Sequence, residues 1–481
     1  MTPAIHYALA FLLVCGGALA SRRIPKQVLL LAASYMFYSA WGTGFLVILA
    51  ASSFLNFVFG ELLRRRQTLP RLWAGVIANV GLLCFFKYLP ALAGGSPDDL
   101  IHRIVMPAGM SFWTFQALSY LFDVYHEEEI EPSLLEFLLY MSFWPTVLMG
   151  PVCRLPNMLP QFRKVHRLSV TDVTAGLRLI AIGLWMKLIL AQFLGAALSR
   201  AVEMEAVWGG VDVWLIAIGF GFQLFFDFAG YSNVVIGAAR FFGFEIEQNF
   251  DAPYLSTTPS MFWAKWHMSL SSWIRDYVFV PMATRRRDLW WRFFAVAFSM
   301  VLFGLWHGAT VAFLLWGTYH GMLLVLHRVG QQYQRRIGVM MDGRIGSFLS
   351  WLLTFLSISL GWVLFRTNDL HQALTMLKAV VTPARYADFV LPVDYYRVVL
   401  TVVIGYFGFA VLSGSSALRE KIEHILMPVP GNANAVRRLM HFSWENRWWW
   451  VAPMLVVNVI AAALIVMSQS ARVTPFIYTL F

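Results

Sequence analysis

The sequence predicts an all-α, polytopic integral membrane protein, and three observations carry that expectation. Hydrophobic residues make up 59% of the 481 positions and charged residues only 13%. So few charges cannot cover a globule of this length in water, so lipid must cover most of it. The apolar runs are long and continuous rather than alternating, which suits helices and not barrel strands. Basic residues gather at the ends of these runs, at Arg22, Arg23 and Lys26, at Arg64, Arg65 and Arg66, at Arg285, Arg286 and Arg287, at Arg335 and Arg336, and at Arg437 and Arg438. That is the charge bias of cytoplasmic loops. The formal charge of +11 therefore points to loop topology and membrane lipid contact, and no nucleic-acid partner is expected.

Apolar segments are read near residues 4–20, 28–40, 43–61, 72–91, 134–151, 174–200, 212–227, 291–306, 309–328, 348–365, 398–413 and 450–468. A crossing helix needs about 20 residues, so some shorter runs are tilted or merged, and roughly eleven transmembrane helices are expected. The first run ends in Ala18-Leu19-Ala20, which mimics a signal cleavage site. Its basic residues follow rather than precede the apolar stretch, which predicts an uncleaved span with the N-terminus outside. No internal repeat is visible. The polar stretches near 367–397 and 413–447 are too short to be domains, so residues 1–481 are read as a single membrane-embedded domain. Cys15, Cys84 and Cys153 have no metal-ligand spacing and read as packing residues.

Three segments depart from simple spans. In 104–125, Pro107 and Gly109 stand at the start, predicting a broken or re-entrant element. In 227–250, Asp227, Ser232 and Asn233 lie beside apolar helix, where polar groups are costly unless they line protein or water. The stretch 259–281 opens with Pro259 and reads as an amphipathic helix. At ~100° per residue, Trp263, His267, Leu270, Ile274 and Tyr277 fall within roughly 40° of one line, with Lys265, Ser269, Ser272 and Asp276 opposite.

The sharpest candidate for chemistry is His307, in Gly304-Leu305-Trp306-His307-Gly308 between two long apolar runs. A histidine at membrane depth is expensive. Burial keeps an imidazole neutral, and a neutral imidazole can take a proton from an attacking hydroxyl. The alternative is a histidine that only ties helices together, and residue chemistry leaves both readings open. His267, alone on an apolar stripe, reads first as a packing residue. His320 and His327, seven apart, share a helical face, but His327 beside Arg328 suits an ordinary snorkelling side chain, and no metal is expected. P-loop, dinucleotide, Gly-x-Ser-x-Gly and His-Glu-x-x-His motifs are absent from the sequence.

Residues 261–281 (MFWAKWHMSLSSWIRDYVFVP) followed by 303–321 (FGLWHGATVAFLLWGTYHG) resemble the signature of the membrane-bound O-acyltransferase family, in its bacterial polysaccharide O-acetyltransferase branch of the alginate type. Phe85-Phe86-Lys87-Tyr88, 106–125, FDFAGYSN at 226–233, QNFDAPY at 248–254 and GWVLFR at 361–366 extend the similarity in order along most of the chain. His126 departs from the pattern, where a basic Arg or Lys is expected. The resemblance implies packed transmembrane helices, with re-entrant and amphipathic helices, around a central funnel. It implies His307 as catalytic and His267 as the second functional position. Trp306, Asn249, Asp251, Asp227, Arg275 and Asp276 are implied as lining the substrate site. It further implies acetyl-coenzyme A as the cytoplasmic acyl donor, with no bound cofactor. The implied destination is a secreted polysaccharide such as alginate, reached through a periplasmic partner acetyltransferase and the polysaccharide export machinery. The implied location is the bacterial inner membrane, crossed many times. D-alanyl transfer to a cell-wall polymer, and a transporter or scaffold role, are the competing expectations.

Overall fold

A computed structural model describes residues 13–14, 23–92, 104–126, 130–164, 169–203, 208–337, 343–367 and 369–413. Most of the span expected at 4–20, the whole of that at 450–468 and most of the polar stretch 413–447 lie outside the described residues. What is described is helix and connecting loop, without strands. Among the described residues, seven helices are long and apolar enough to cross a bilayer, namely Thr43–Arg65, Leu69–Lys87, Val170–Ser199, Gly210–Phe241, Leu289–His307, Gly343–Arg366 and Val393–Ala410. The described residues fall into two compact units, one within Met1–Ile180 and Ser232–Asn368, the other within Ala181–Tyr231 and Asp369–Phe476.

In the first unit, Thr43–Arg65 and Leu69–Lys87 form a hairpin locked by a reciprocal amide pair. Asn56 Nδ2 donates to Asn79 Oδ1 at 3.0 Å, and Asn79 Nδ2 to Asn56 Oδ1 at 2.7 Å. Between apolar helices such a pair fixes register, because slipping would strand both amides. Met110–Tyr125 packs on both helices and is buried on nearly every face. It starts where the sequence predicted a break. Gly109 sits at φ 74°, and a Cβ there would lie 1.9 Å from the Val147 carbonyl oxygen, so only glycine fits.

Three expectations are corrected. Residues 134–151 do not span: the helix Leu134–Ser142 ends after nine residues and a buried irregular segment follows. Pro145 disfavours helix at Trp144, and Gly150 adopts φ 138°. Residues 212–227 do not stop at Asp227, because Gly210–Phe241 is one helix of 32 residues. The 259–281 stretch is not one amphipathic helix. It breaks into Pro259–Lys265, Met268–Ile274, a π-helical turn Arg275–Phe279 and Val280–Ala283, so His267 stands at a break and not on a stripe.

The tightest packing of the unit joins Leu289–His307 to Val311–Ile337. A Cβ on Gly304 would meet the Phe313 carbonyl oxygen at 2.3 Å, and one on Gly317 the Met300 carbonyl oxygen at 2.4 Å. Gly317 and Gly321 are four residues apart, so they share one face and let the backbones touch. In the second unit, buried Asp212 organises the start of Gly210–Phe241, accepting from Gly209 N at 2.9 Å, Val390 N at 3.1 Å and the Tyr396 hydroxyl.

Gly317→Val should cost about 1–3 kcal/mol or more through overpacking. The expected result is a clear drop in the thermal midpoint of the detergent-solubilised protein. Gly330→Ala, at a helical position with open space around the new methyl, should leave the midpoint unchanged or raise it slightly. Equal behaviour of the two variants would contradict the close approach.

Candidate active site

His307 is the last residue of Leu289–His307 and is buried. Its ring lies 4.6 Å from Trp306, 5.2 Å from Phe303, 5.4 Å from Trp316 and 4.8 Å from Phe365, centroid to centroid. The helix gives way to extended backbone at Gly308, where a Cβ would strike the Phe313 ring at 2.8 Å. A helix that ends inside a membrane protein leaves carbonyls to be satisfied. Tyr88 Oη donates to the Leu305 carbonyl at 2.8 Å, and Lys87 Nζ donates to the Trp306 carbonyl and lies 5.0 Å from the Trp306 ring centroid. A cation at a helix C-terminus also suits the helix dipole. Lys87 and Tyr88 thus fix the backbone that carries His307. Their role was hidden in the sequence, where the only signal was a lysine closing an apolar run at Phe85-Phe86-Lys87-Tyr88.

His267 occupies the break between two short helices in the left-handed region, φ 45° and ψ 53°, a strained conformation for a non-glycine residue. The 248–254 loop holds it there. Met268 N donates to the Asn249 carbonyl at 2.8 Å, and Asp251 N donates to the Lys265 carbonyl at 3.0 Å, so the loop pairs with a peptide group on each side of the break. The Asn249 side chain then selects the tautomer. Its Oδ1 accepts from the Ser269 backbone N–H at 3.3 Å and from Ser269 Oγ at 2.8 Å. A backbone N–H can only donate, so this atom is the acceptor oxygen, and His267 Nδ1, 3.1 Å away, must be the donor. The lone pair is left on Nε2. Asn249 Nδ2 donates to Ser232 Oγ at 3.3 Å, and Ser269 Oγ accepts from Val152 N at 2.9 Å. Burial pushes the His267 imidazole down to about 3, so it is neutral at physiological pH.

The two histidines share one neighbour. Trp306 lies 6.5 Å from the His267 ring and 4.6 Å from that of His307, and it is backed by Phe115 at 5.5 Å and Phe112 at 6.4 Å from the buried Met110–Tyr125 helix. The structure therefore brings together His307, His267, Trp306 and Asn249. The other expected residues have different surroundings. Asp251 pairs with Lys265 at 2.9 Å. Asp276 bridges Arg275 and Arg154, each at 2.7 Å. Burial tends to raise the Asp276 carboxyl, but the two guanidiniums hold it below its usual range. Asp227 belongs to the second unit, where it accepts from Lys187 at 2.6 Å. His320 is completely buried among Trp263, Trp316 and Tyr319, and Gly361 makes room for it, since a Cβ there would lie 2.5 Å from His320 Nε2.

Comparison with known proteins decides the family. Residues 33–366 match the membrane-bound O-acyltransferase family. This chain belongs to the membrane-bound O-acyltransferases. It is similar to the probable alginate O-acetylase of Pseudomonas aeruginosa, 33% identical over 372 residues that cover 74% of this chain and 69% of that protein. The peptidoglycan O-acetyltransferase of Helicobacter pylori is 31% identical over 396 residues, 74% of each chain. The teichoic acid D-alanyltransferase of Bacillus subtilis is 27% identical over 310 residues, 62% of this chain and 78% of that one. Residues 433–481 match a separate family of unknown function. The chain is thus a multi-pass membrane O-acyltransferase.

Asn249→Ala removes the acceptor that sets the His267 tautomer. Loss of such an orienting partner typically costs about 10–100-fold, and acyl transfer in membranes should fall by that factor at matched protein level. Ser232→Ala, which removes only a contact to the Asn249 amide N–H, should cost less. Full activity in Asn249→Ala would show that the tautomer does not matter.

Proposed function

We propose that this acyltransferase takes an acetyl group from cytoplasmic acetyl-coenzyme A and passes it across the bacterial inner membrane for O-acetylation of a secreted polysaccharide such as alginate. A periplasmic partner acetyltransferase receives the acetyl group and the export machinery carries the polymer. The observation that carries this reading is the meeting of two buried histidines at Trp306, one with its tautomer set by Asn249. In the reaction an acceptor hydroxyl attacks the thioester carbonyl carbon. The C–O bond forms as the C–S bond breaks, imidazole takes the hydroxyl proton, and the proton passes to the departing thiolate. A thioester is already activated, so a positioned base and a guided path suffice. His307 is assigned the base and His267 the orientation of thioester or acceptor, with its neutral Nε2 able to share the proton.

The likeness to alginate and peptidoglycan O-acetyltransferases supports acetyl as the acyl group. The likeness to a teichoic acid D-alanyltransferase supports a second reading, D-alanyl transfer to a cell-wall polymer. The two separate by assaying acetyl and D-alanyl esters on the secreted and wall polymers of a deletion strain.

His307→Ala should abolish acetyl esters on the exported polymer while the protein still inserts and accumulates. Removing a general base typically loses about 10²–10⁴-fold. The measurement is ester content against membrane level of the variant. Near-normal acetylation would favour a scaffold or transporter role instead.

A further inference from the structure

Far from the histidines, the first unit contains a recess of about 470 Å³ lined by Arg286, Arg287, Arg292, Arg328, Phe279 and Val280 among others. Arg286 and Arg287 lie in the loop before Leu289–His307, Arg292 in that helix's first turn, and Arg328 on the neighbouring Val311–Ile337. The two helices form a hairpin, so the recess sits at the end opposite His307. Fifteen residues separate Arg292 from His307, roughly 22 Å along a helix.

The charge balance of this recess is unusual. No carboxylate lines it, and among the described residues none of its four arginines enters an ion pair. Asp288, the nearest acid in sequence, caps the helix by accepting from Trp291 N at 3.1 Å. The guanidiniums are held by rings instead, Arg328 5.2 Å over Phe279 and Arg286 4.8 Å over Trp291. Such contacts orient a cation without neutralising it. Arginine forks match phosphate oxygens in pairs. Exposed apolar side chains stand on the same two helices: Trp290 is 78% exposed, and Phe294 and Leu326, further along them toward the His307 end, are 50% and 59% exposed. An exposed tryptophan beside arginines, above bare aliphatic and aromatic helix, is the pattern of a headgroup-level site with acyl chains below.

We propose that this recess binds the phosphate headgroup of an anionic phospholipid from the cytoplasmic leaflet, with the acyl chains lying along Phe294 and Leu326. The basic loop at Arg285–Arg287 places this end in the cytoplasm by its charge. The apolar flank selects lipid over a soluble phosphate compound, which would have no use for it. A lipid here would clamp the loop that leads into Leu289–His307.

The test uses the full chain exchanged into phosphatidylcholine vesicles containing a minor fraction of phosphatidylglycerol, released into mild detergent and weighed by native mass spectrometry. The wild type should retain phosphatidylglycerol in preference to phosphatidylcholine. Arg287→Gln with Arg328→Gln should weaken retention roughly 30-fold, and Arg292→Gln alone roughly five-fold. The single variant, at an exposed position, serves if the double variant elutes abnormally on gel filtration. Arg65→Gln with Arg66→Gln, which removes the same charge at another helix end, should change nothing. Equal loss in that control would reduce the effect to general surface charge and overturn the proposal. Displacement of retained lipid by free coenzyme A would reassign the recess to the phosphates of the acyl donor, and retention unaffected by the arginine changes would remove the site.

Discussion

A helix interrupted within a membrane protein leaves peptide groups that water cannot reach, and both candidate histidines stand at such interruptions. The structure satisfies each one with its own device. At His307 the terminal carbonyls of Leu305 and Trp306 accept from Tyr88 and Lys87. At His267 the loop around Asn249 pairs with the backbone on both sides of the break. An unmade hydrogen bond in hydrocarbon costs several kcal/mol, so these partners are conditions for placing the imidazoles at all. Both imidazoles are buried, His307 at the last residue of its helix and His267 between two short helices.

The same economy explains the glycines. Gly304, Gly317 and Gly321 bring two backbones together so that Trp316 and Phe313 close over the His307 ring. Gly308 yields to the Phe313 ring, and Gly361 yields to His320. The aromatic wall that results buries the His307 ring among Phe303, Phe313, Trp316 and Phe365. Lys87 holds Trp306 twice, donating to its carbonyl and lying 5.0 Å from its ring centroid.

Class, and most of the spans, could be read from composition and apolar run length, because lipid imposes both. His307 stood out as a candidate for the same reason, a histidine flanked by glycines between apolar runs, while residue chemistry alone left a helix-tying role open. Periodicity misled at 259–281, since a helical wheel assumes continuity and cannot register that Asn249, some eighteen residues earlier, pairs across the break at His267. It misled at 134–151 as well, where apolar composition suggests a span but Pro145 and Gly150 bury the chain as irregular backbone. That His267 and His307 would meet at one tryptophan is a matter of tertiary packing between distant segments, and no local pattern encodes it. Asp227, Arg275 and Asp276 were implied as site-lining by the resemblance, and the ion pairs of Asp227 with Lys187 and of Asp276 with Arg154 and Arg275 became visible only in three dimensions.

The account stands on the two histidines working as one unit around Trp306. Its most direct test compares His267→Gln, His307→Gln and the double variant for acyl transfer in membranes at matched protein levels. Glutamine keeps a donor and an acceptor but does not titrate near neutral pH. Residues of one catalytic unit are strongly non-additive, so each single variant should lose most of the activity and the double variant little more than the worse single. Nearly full activity in His267→Gln, or losses that multiply in the double variant, would contradict it.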